Sequence, residues 1–246
     1  MQYLNEPRKI QFELSSMCNA LCLGCVRVDS RNFNRSKDII PKKTKVSVET
    51  FIKLLTSAEM KTVQILEFCG TIDEPLMHPE FFTMLREAYK INPFYTIHIH
   101  TNGSIRSESE WKELARILQK FKSPHMTHFS IDGLEDTNRI YRQNTDYNKI
   151  IKNAKSYIAE GGYAVWQFLI FPWNKHQLDN AKQLSIDLKF SEFHSRHDRS
   201  VVTDLGLNTI NQRKIKDEHS KLKNQNNQNN LDNLDNLINS YKVLND

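Results

Sequence analysis

The sequence has no apolar run approaching the ~20 residues needed to span a bilayer, so no membrane-crossing helix is expected. Glycine and proline number only seven each among 246 residues, which excludes collagen-like and proline-rich architectures. The opening stretch MQYLNEPRKIQF lacks the apolar core of a secretory signal, and the expected location is cytoplasmic. Charge of one sign is not in great excess. Thirty-four basic and 29 acidic residues leave a net charge of +5, well short of the clustered footprint of a nucleic-acid-binding domain. Cysteine is scarce, with four residues, and three of them (Cys18, Cys22 and Cys25) fall within eight positions. A disulfide framework would spread its cysteines to close loops. A tight cluster in a reducing compartment reads instead as a metal or iron–sulfur site.

Apolar residues make up 39% of the chain, enough for one core. Strand and helix signals alternate along it. Ile10–Leu14 alternates apolar and polar residues as a strand does, and the cysteine segment follows. Helical spacing runs from Val48 to Met60, with Ser47 as N-cap. Strands are expected at Val63–Phe68, Tyr95–Ile99, His128–Ile131, Val165–Phe171 and Phe190–Phe193. Between them, helices are expected at Pro79–Ile91, Glu108–Phe121, Tyr147–Glu160 and Gln177–Leu188. Six strand–helix units in about 200 residues, roughly 33 each, match the size of a βα repeat. Strict alternation implies an α/β fold with a parallel sheet. A complete barrel has eight units, so six predict a partial (β/α)6 TIM-like barrel, open on one side, over residues 1–200.

Residues 201–246 differ in character. Asn224–Asn230 is entirely Asn and Gln, and Leu231, Leu234, Ile238, Tyr241 and Leu244 then form a helical stripe. A polar linker and a short amphipathic C-terminal helix are expected. Residues 27–45 carry seven basic and two acidic residues with little apolar periodicity, as a long loop would.

The cysteines form a C-x3-C-x2-C pattern, with Gly24 suited to a tight turn. Soft sulfur ligands select zinc, copper(I) or iron–sulfur. Three local ligands leave one coordination position open, and an open position is where chemistry occurs. This pattern after a first strand resembles the signature of the radical S-adenosylmethionine (radical SAM) enzymes. The resemblance implies one [4Fe–4S] cluster on Cys18, Cys22 and Cys25, its fourth iron chelated by S-adenosyl-L-methionine. Reductive cleavage of the sulfonium would yield a 5′-deoxyadenosyl radical that abstracts hydrogen from a substrate. An external one-electron reductant of flavodoxin or ferredoxin type is implied as well.

Further segments carry the resemblance over roughly residues 8–200. Phe68–Phe81 is similar to the family's Gly-Gly-Glu-Pro segment followed by Leu-x-His-Pro. Gly70, Asp73, Glu74 and Pro75 would then meet the amino group of the cosubstrate, with Ile72-Asp73 replacing the double glycine. Thr101-Asn102-Gly103 and Ser130-Ile131-Asp132-Gly133 end the third and fourth strands. They resemble segments near the ribose and methionine moieties, which assigns Asn102, Ser130 and Asp132 to cosubstrate binding. Arg142 would pair with a carboxylate of the cosubstrate or with an anionic substrate. Asn174 is a matching contact after strand five, and Phe171 or Trp173 would either flank the adenine or belong to the core. All these positions follow strand ends, where parallel barrels place their active sites.

Other residues admit two readings. His98 and His100 share a strand face and either ligate a metal or fill a polar interior. Cys69 is a buried small residue or a redox group, while Glu13 and Gln11 have no assigned role. No further cysteines follow Cys69, so the resemblance implies the single-cluster type, without the C-terminal cysteine-rich extension that holds additional clusters in many relatives. A zinc-stabilised binding module and an iron–sulfur electron-transfer protein are the alternatives. The substrate does not follow from sequence, although the basic 27–45 loop and open barrel favour a peptide or an anionic small molecule.

Overall fold

The computed structural model describes residues 8–25, 27, 43–68 and 71–197. Cys69, Gly70, most of the 27–45 segment, and residues 198–246 with the expected linker and helix lie outside them. Six strands form one sheet in sequence order: β1 (Arg8–Phe12), β2 (Val63–Phe68), β3 (Thr96–Thr101), β4 (His125–Ser130), β5 (Ala164–Ile170) and β6 (Glu192–His197). Every neighbouring pair is parallel. Among the described residues the helices in chain order are α1 (Val48–Leu55), α2 (Phe81–Ile91), α3 (Glu108–Leu118), α4 (Glu135–Tyr141), α5 (Tyr147–Ala159) and α6 (Leu178–Asp187). This is the open, partial TIM-like barrel expected from the alternation.

The helices begin where short polar side chains take their first free N–H groups. Ser47 Oγ accepts from Thr50 N–H at the start of α1. Ser107 and Glu110 form a reciprocal capping box at α3, and Asp146 caps α5. Glycine ends α5, with Gly161 at φ +84°.

Side-chain alternation along the strands builds two different faces. Ile97 and Ile99 of β3 are fully buried under the helices, whereas His98 and His100 point into the barrel, half-buried. The helix-covered side forms the main core, in which Phe12 stacks on Phe68 at 5.6 Å and Trp111 lies 5.0 Å from Phe129. The inner face is polar. Lys9 pairs with Glu67 (2.5 Å), Glu67 with His100 (3.0 Å), His100 stacks on His128 at 4.4 Å, and His128 meets Gln167 at 3.3 Å. Burial and the neighbouring imidazoles push the pKa of His128 down to about 3, so His128 is uncharged near neutrality. His98 and His100 thus line a polar interior; among the described residues no group of three or more His, Cys, Asp or Glu is placed to hold a metal ion.

Several boundaries differ from expectation; strand four, for one, runs His125–Ser130 rather than His128–Ile131. The first helix stops at Leu55, because Ser57 turns extended (ψ 160°) before a separate 3₁₀ turn at Ala58–Thr62. Strand six starts at Glu192 rather than Phe190; Phe190 packs into the core and the strand itself carries polar residues. Helix α4 was not expected at all, since it has only seven residues and no side-chain cap.

Trp111 is fully buried between α3 and the sheet, and its indole N–H donates to Ile105 C=O at 2.9 Å. Trp111→Ala is expected to destabilise the chain by ~3–5 kcal/mol in urea unfolding followed by circular dichroism.

Candidate active site

The parallel strands all end at one mouth of the barrel, and the cysteine loop lies across it. The loop has a small core of its own: Ala20, Cys22, Leu23, Ile140, Tyr141, Phe171 and Trp173 are buried together, with Cys18 and Cys25 packed against them. Phe171 and Trp173 stack at 4.5 Å within this core, so the core reading holds for both. Backbone bonds fasten the loop to the end of α4, with Leu21 N–H donating to Gln143 C=O at 2.8 Å and Leu23 N–H to Tyr141 C=O at 3.2 Å. The unexpected helix α4 is therefore the platform of the cysteine loop.

The three thiols are free, Cys22 buried and the other two half-buried. Burial pushes the Cys18 thiol up to about 12, and nearby Glu74 and Cys22 add to the effect. Burial also raises the Cys22 thiol, against the Arg142 guanidinium that lowers it. Thiols held protonated this way become thiolates only against a compensating positive centre, which is the condition a metal cluster meets. The donor set fits a [4Fe–4S] cluster attached at three corners: three soft sulfurs from one short turn, over an apolar floor, with the barrel mouth in front.

Glu74 is the hub beside this loop. Its backbone N–H donates to Met17 C=O at 2.8 Å. Its carboxylate accepts from the Thr101 hydroxyl and from Asn102 N–H, both at 2.7 Å. Burial pushes the Glu74 pKa up to about 7, and these hydrogen bonds work in the opposite direction. Asn102 continues the chain of contacts, with Nδ2 2.8 Å from Asn19 Oδ1 and 4.0 Å from Cys18 Sγ. Pro75 opens a 3₁₀ turn, Pro75–Met77, that carries the chain away from Glu74. His78 explains the Leu-x-His-Pro pattern. Its Nε2 bonds Val46 C=O (2.9 Å), and its Nδ1 accepts from Glu80 N–H (3.2 Å). Arg106 braces the same turn through the carbonyls of Leu76 (2.7 Å) and His78 (2.8 Å).

A residue without an assigned role in the sequence proves central. The Glu13 carboxylate accepts from three successive N–H groups, those of Thr71 (2.9 Å), Ile72 (3.1 Å) and Asp73 (3.1 Å). This anchors the segment in which Ile72-Asp73 replaces the double glycine. The only sequence signal was a charged residue at the end of a strand whose neighbours are apolar. Asp73 faces β1, with Oδ2 accepting from Ser15 N–H at 3.0 Å. Its other oxygen, Oδ1, is buried without a donor. Burial and the adjacent Glu13 carboxylate raise the Asp73 pKa.

Asp132 and Asn174 form a second hub. Asp132 is fully buried; Oδ1 accepts from Leu169 N–H (2.7 Å) and Oδ2 from Arg142 Nε (2.6 Å). Asn174 Nδ2 donates to Asp132 C=O (3.1 Å) and Leu169 C=O (2.8 Å), and its Oδ1 accepts from Phe171 N–H (2.7 Å). These two residues brace the ends of β4 and β5. Ser130, Arg142, Gln167, His194 and Arg196 line a cavity of about 180 Å³ beside them. Gly133 sits at φ +136°, where an added Cβ would meet Thr137 Oγ1 at 2.0 Å, so the turn after Asp132 requires glycine.

Both Asp73 and Glu74 are raised above their unfolded values, so the folded chain binds the extra protons. Their contribution is greatest at low pH and is lost as pH rises through the folded pKa values. The cluster-free chain is expected to be roughly 1–3 kcal/mol more stable near pH 5 than near pH 8 from these groups. Asp73→Asn should flatten that dependence in urea titrations at the two pH values.

Comparison with known proteins places this geometry. A curated protein of Pyrococcus furiosus, the tungsten-containing aldehyde ferredoxin oxidoreductase cofactor-modifying protein, is 28% identical over 125 residues, 51% of this chain and 31% of its own. SuiB of Streptococcus suis, solved with its precursor peptide SuiA, superposes with a TM-score of 0.61 at 16% identity, covering 78% of this chain and 39% of SuiB. TsrM of Kitasatospora setae, a radical S-adenosylmethionine methyltransferase solved with cobalamin and a [4Fe–4S] cluster, superposes at 0.55 and 11% identity, covering 78% and 36%. The chain thus spans about a third of the length of the curated relative, and the structural likenesses show a shared fold. The family model of the Radical SAM superfamily matches residues 12–183. With that match over most of its length, the chain belongs to the radical SAM superfamily, whose enzymes use a [4Fe–4S] cluster and S-adenosylmethionine.

Proposed function

We propose that Cys18, Cys22 and Cys25 hold one [4Fe–4S] cluster and that the chain uses it in a hydrogen-abstraction reaction on a peptide or an anionic small molecule. When bound and reduced, the cluster would supply the electron that cleaves S-adenosylmethionine to a 5′-deoxyadenosyl radical. The observation that carries this reading is the placement of three free thiols on one loop, with Glu74 beside Cys18, at the open mouth of a parallel barrel. The protein's own residues bind, orient and exclude water. The Glu74 segment would receive the cosubstrate's ammonium, a charge-assisted contact that keeps the carboxylate ionised. Gly70 belongs to that segment by sequence, while Glu13 and Asp73 fix its backbone. Ser130 and Arg142 line the adjoining cavity and would meet polar groups there. Asn102, Asp132 and Asn174, whose hydrogen-bonding groups are largely engaged within the protein, act by holding loops in place.

The polar inner face, with its stacked imidazoles, offers hydrogen-bonding groups to a polar substrate entering through the open side. SuiB, which shares the fold, was solved with a precursor peptide, and this supports the peptide arm of the proposal. The seven basic residues of the 27–45 segment support the anionic arm. An external reductant of flavodoxin or ferredoxin type is part of the proposal, as is a cytoplasmic location suited to free thiols. Among the described residues no helix is long and apolar enough to cross a membrane.

The test is anaerobic reconstitution of the chain and of Cys22→Ala with iron and sulfide, followed by an assay for 5′-deoxyadenosine. The parent should take up about four irons and release 5′-deoxyadenosine on reduction; Cys22→Ala should do neither. Iron uptake without cleavage would return the chain to simple electron transfer, and no uptake would overturn the proposal.

A further inference from the structure

Arg142 is held beside the cysteine loop in an unusual way. Its Nε donates to Asp132 Oδ2 at 2.6 Å, and its Nη1 lies 3.6 Å from Cys22 Sγ, within reach of a sulfur acceptor. The guanidinium also sits over the Tyr141 ring, 5.2 Å from its centroid. Asp132 is itself immobilised, because Leu169 N–H fills its Oδ1 and its own N–H donates to Asn138 Oδ1 at 2.8 Å. With Asn174 Nδ2 donating to the Asp132 carbonyl at 3.1 Å, three hydrogen bonds thus fix the residue that fixes the arginine. Burial opposes the charge on Arg142, but Asp132 and the Cys22 sulfur more than offset it, so the side chain stays cationic.

A permanent positive charge, with an N–H aimed at a sulfur, has a defined consequence at a metal cluster. Adding an electron makes the cluster more negative, and a nearby cation in a poorly solvated site stabilises the reduced form more than the oxidised one. Hydrogen bonds to cluster sulfurs and local charge are among the protein's main controls on reduction potential. We infer that Arg142, positioned by Asp132, raises the reduction potential of the cluster attached at Cys22 and so eases electron uptake from the external donor. This rests on the cluster assignment above and adds to it a residue that acts on the potential through Cys22.

The experiment is a mediated redox titration of the anaerobically reconstituted full chain, read by the electron paramagnetic resonance of the reduced cluster, with iron and sulfide content measured first. Arg142→Met should retain its cluster and show a reduced-to-oxidised ratio about tenfold lower at a fixed solution potential, 59 mV for one electron. Arg142→Lys, which keeps the charge but not the fork that reaches both partners, should shift less. A structural role alone would lower cluster content or thermal stability without ordering the potentials this way. If Arg142→Met fails to take up iron, Arg142→Gln, a neutral residue that keeps a donor, must still lower the potential. Full cluster content with an unchanged potential overturns the inference and leaves the cluster assignment intact. Loss of iron from both neutral variants also overturns it, making Arg142 a residue of assembly. A parent chain that takes up no cluster would overturn the assignment and the inference together.

Discussion

Glu74 ties three loops at one buried point. Its backbone holds Met17 on the cysteine loop, and its carboxylate holds Thr101 and Asn102 at the end of β3. A parallel sheet needs such a tie. Its strands all end at the same mouth, where loops from separate βα units meet with no backbone ladder to join them. Buried acceptors that satisfy several N–H groups at once do that joining. Glu13 does the same for residues 71–73, and Asp132 for the ends of β4 and β5. The mouth of the barrel is a set of polar knots, whereas the helix-covered side is close-packed aromatic and aliphatic core.

The knots also explain why the site is electrostatically tense. Asp73 lies against Glu13, Glu74 lies near Cys18, and burial disfavours the charged forms of Asp73, Glu74 and Cys18. In the cluster-free chain these three groups are held closer to neutrality. A cationic occupant, the ammonium of a cosubstrate beside Glu74 or an iron centre on the thiols, would relieve that tension. Perturbed ionisation of this kind is characteristic of functional sites. Here it follows from carboxyls and thiols that the fold needs buried for structural reasons.

Much of this was legible in the sequence. The sheet order was readable from the regular alternation of short strand patterns with longer helical ones, each a βα unit of similar length. The cysteine spacing and the strand-end positions of Glu74, Asn102, Ser130 and Asp132 marked the mouth. Other features were hidden. Helix α4 has no cap and few residues, yet it carries Tyr141 and Arg142 against the cysteine loop. The polar inner-face residues of β4 and β6 broke the apolar pattern and displaced their expected boundaries. Glu13 could not be placed, because its partners lie 58 to 60 residues away and are backbone N–H groups that leave no mark in the sequence. The roles of Asp132 and Asn174 as braces were likewise invisible, since an Asp or Asn at a strand end looks the same whether it faces a ligand or its own backbone.

The proposed chemistry requires three thiolates that grip an iron–sulfur cube and leave one iron accessible from the barrel mouth. Electron paramagnetic resonance of the reduced, reconstituted chain before and after adding S-adenosylmethionine labelled with nitrogen-15 at its amino group tests it most directly. A cluster signal that changes shape and gains coupling to the labelled nitrogen is expected. A signal indifferent to the added molecule would contradict the account, as it would mean that no iron corner is left open.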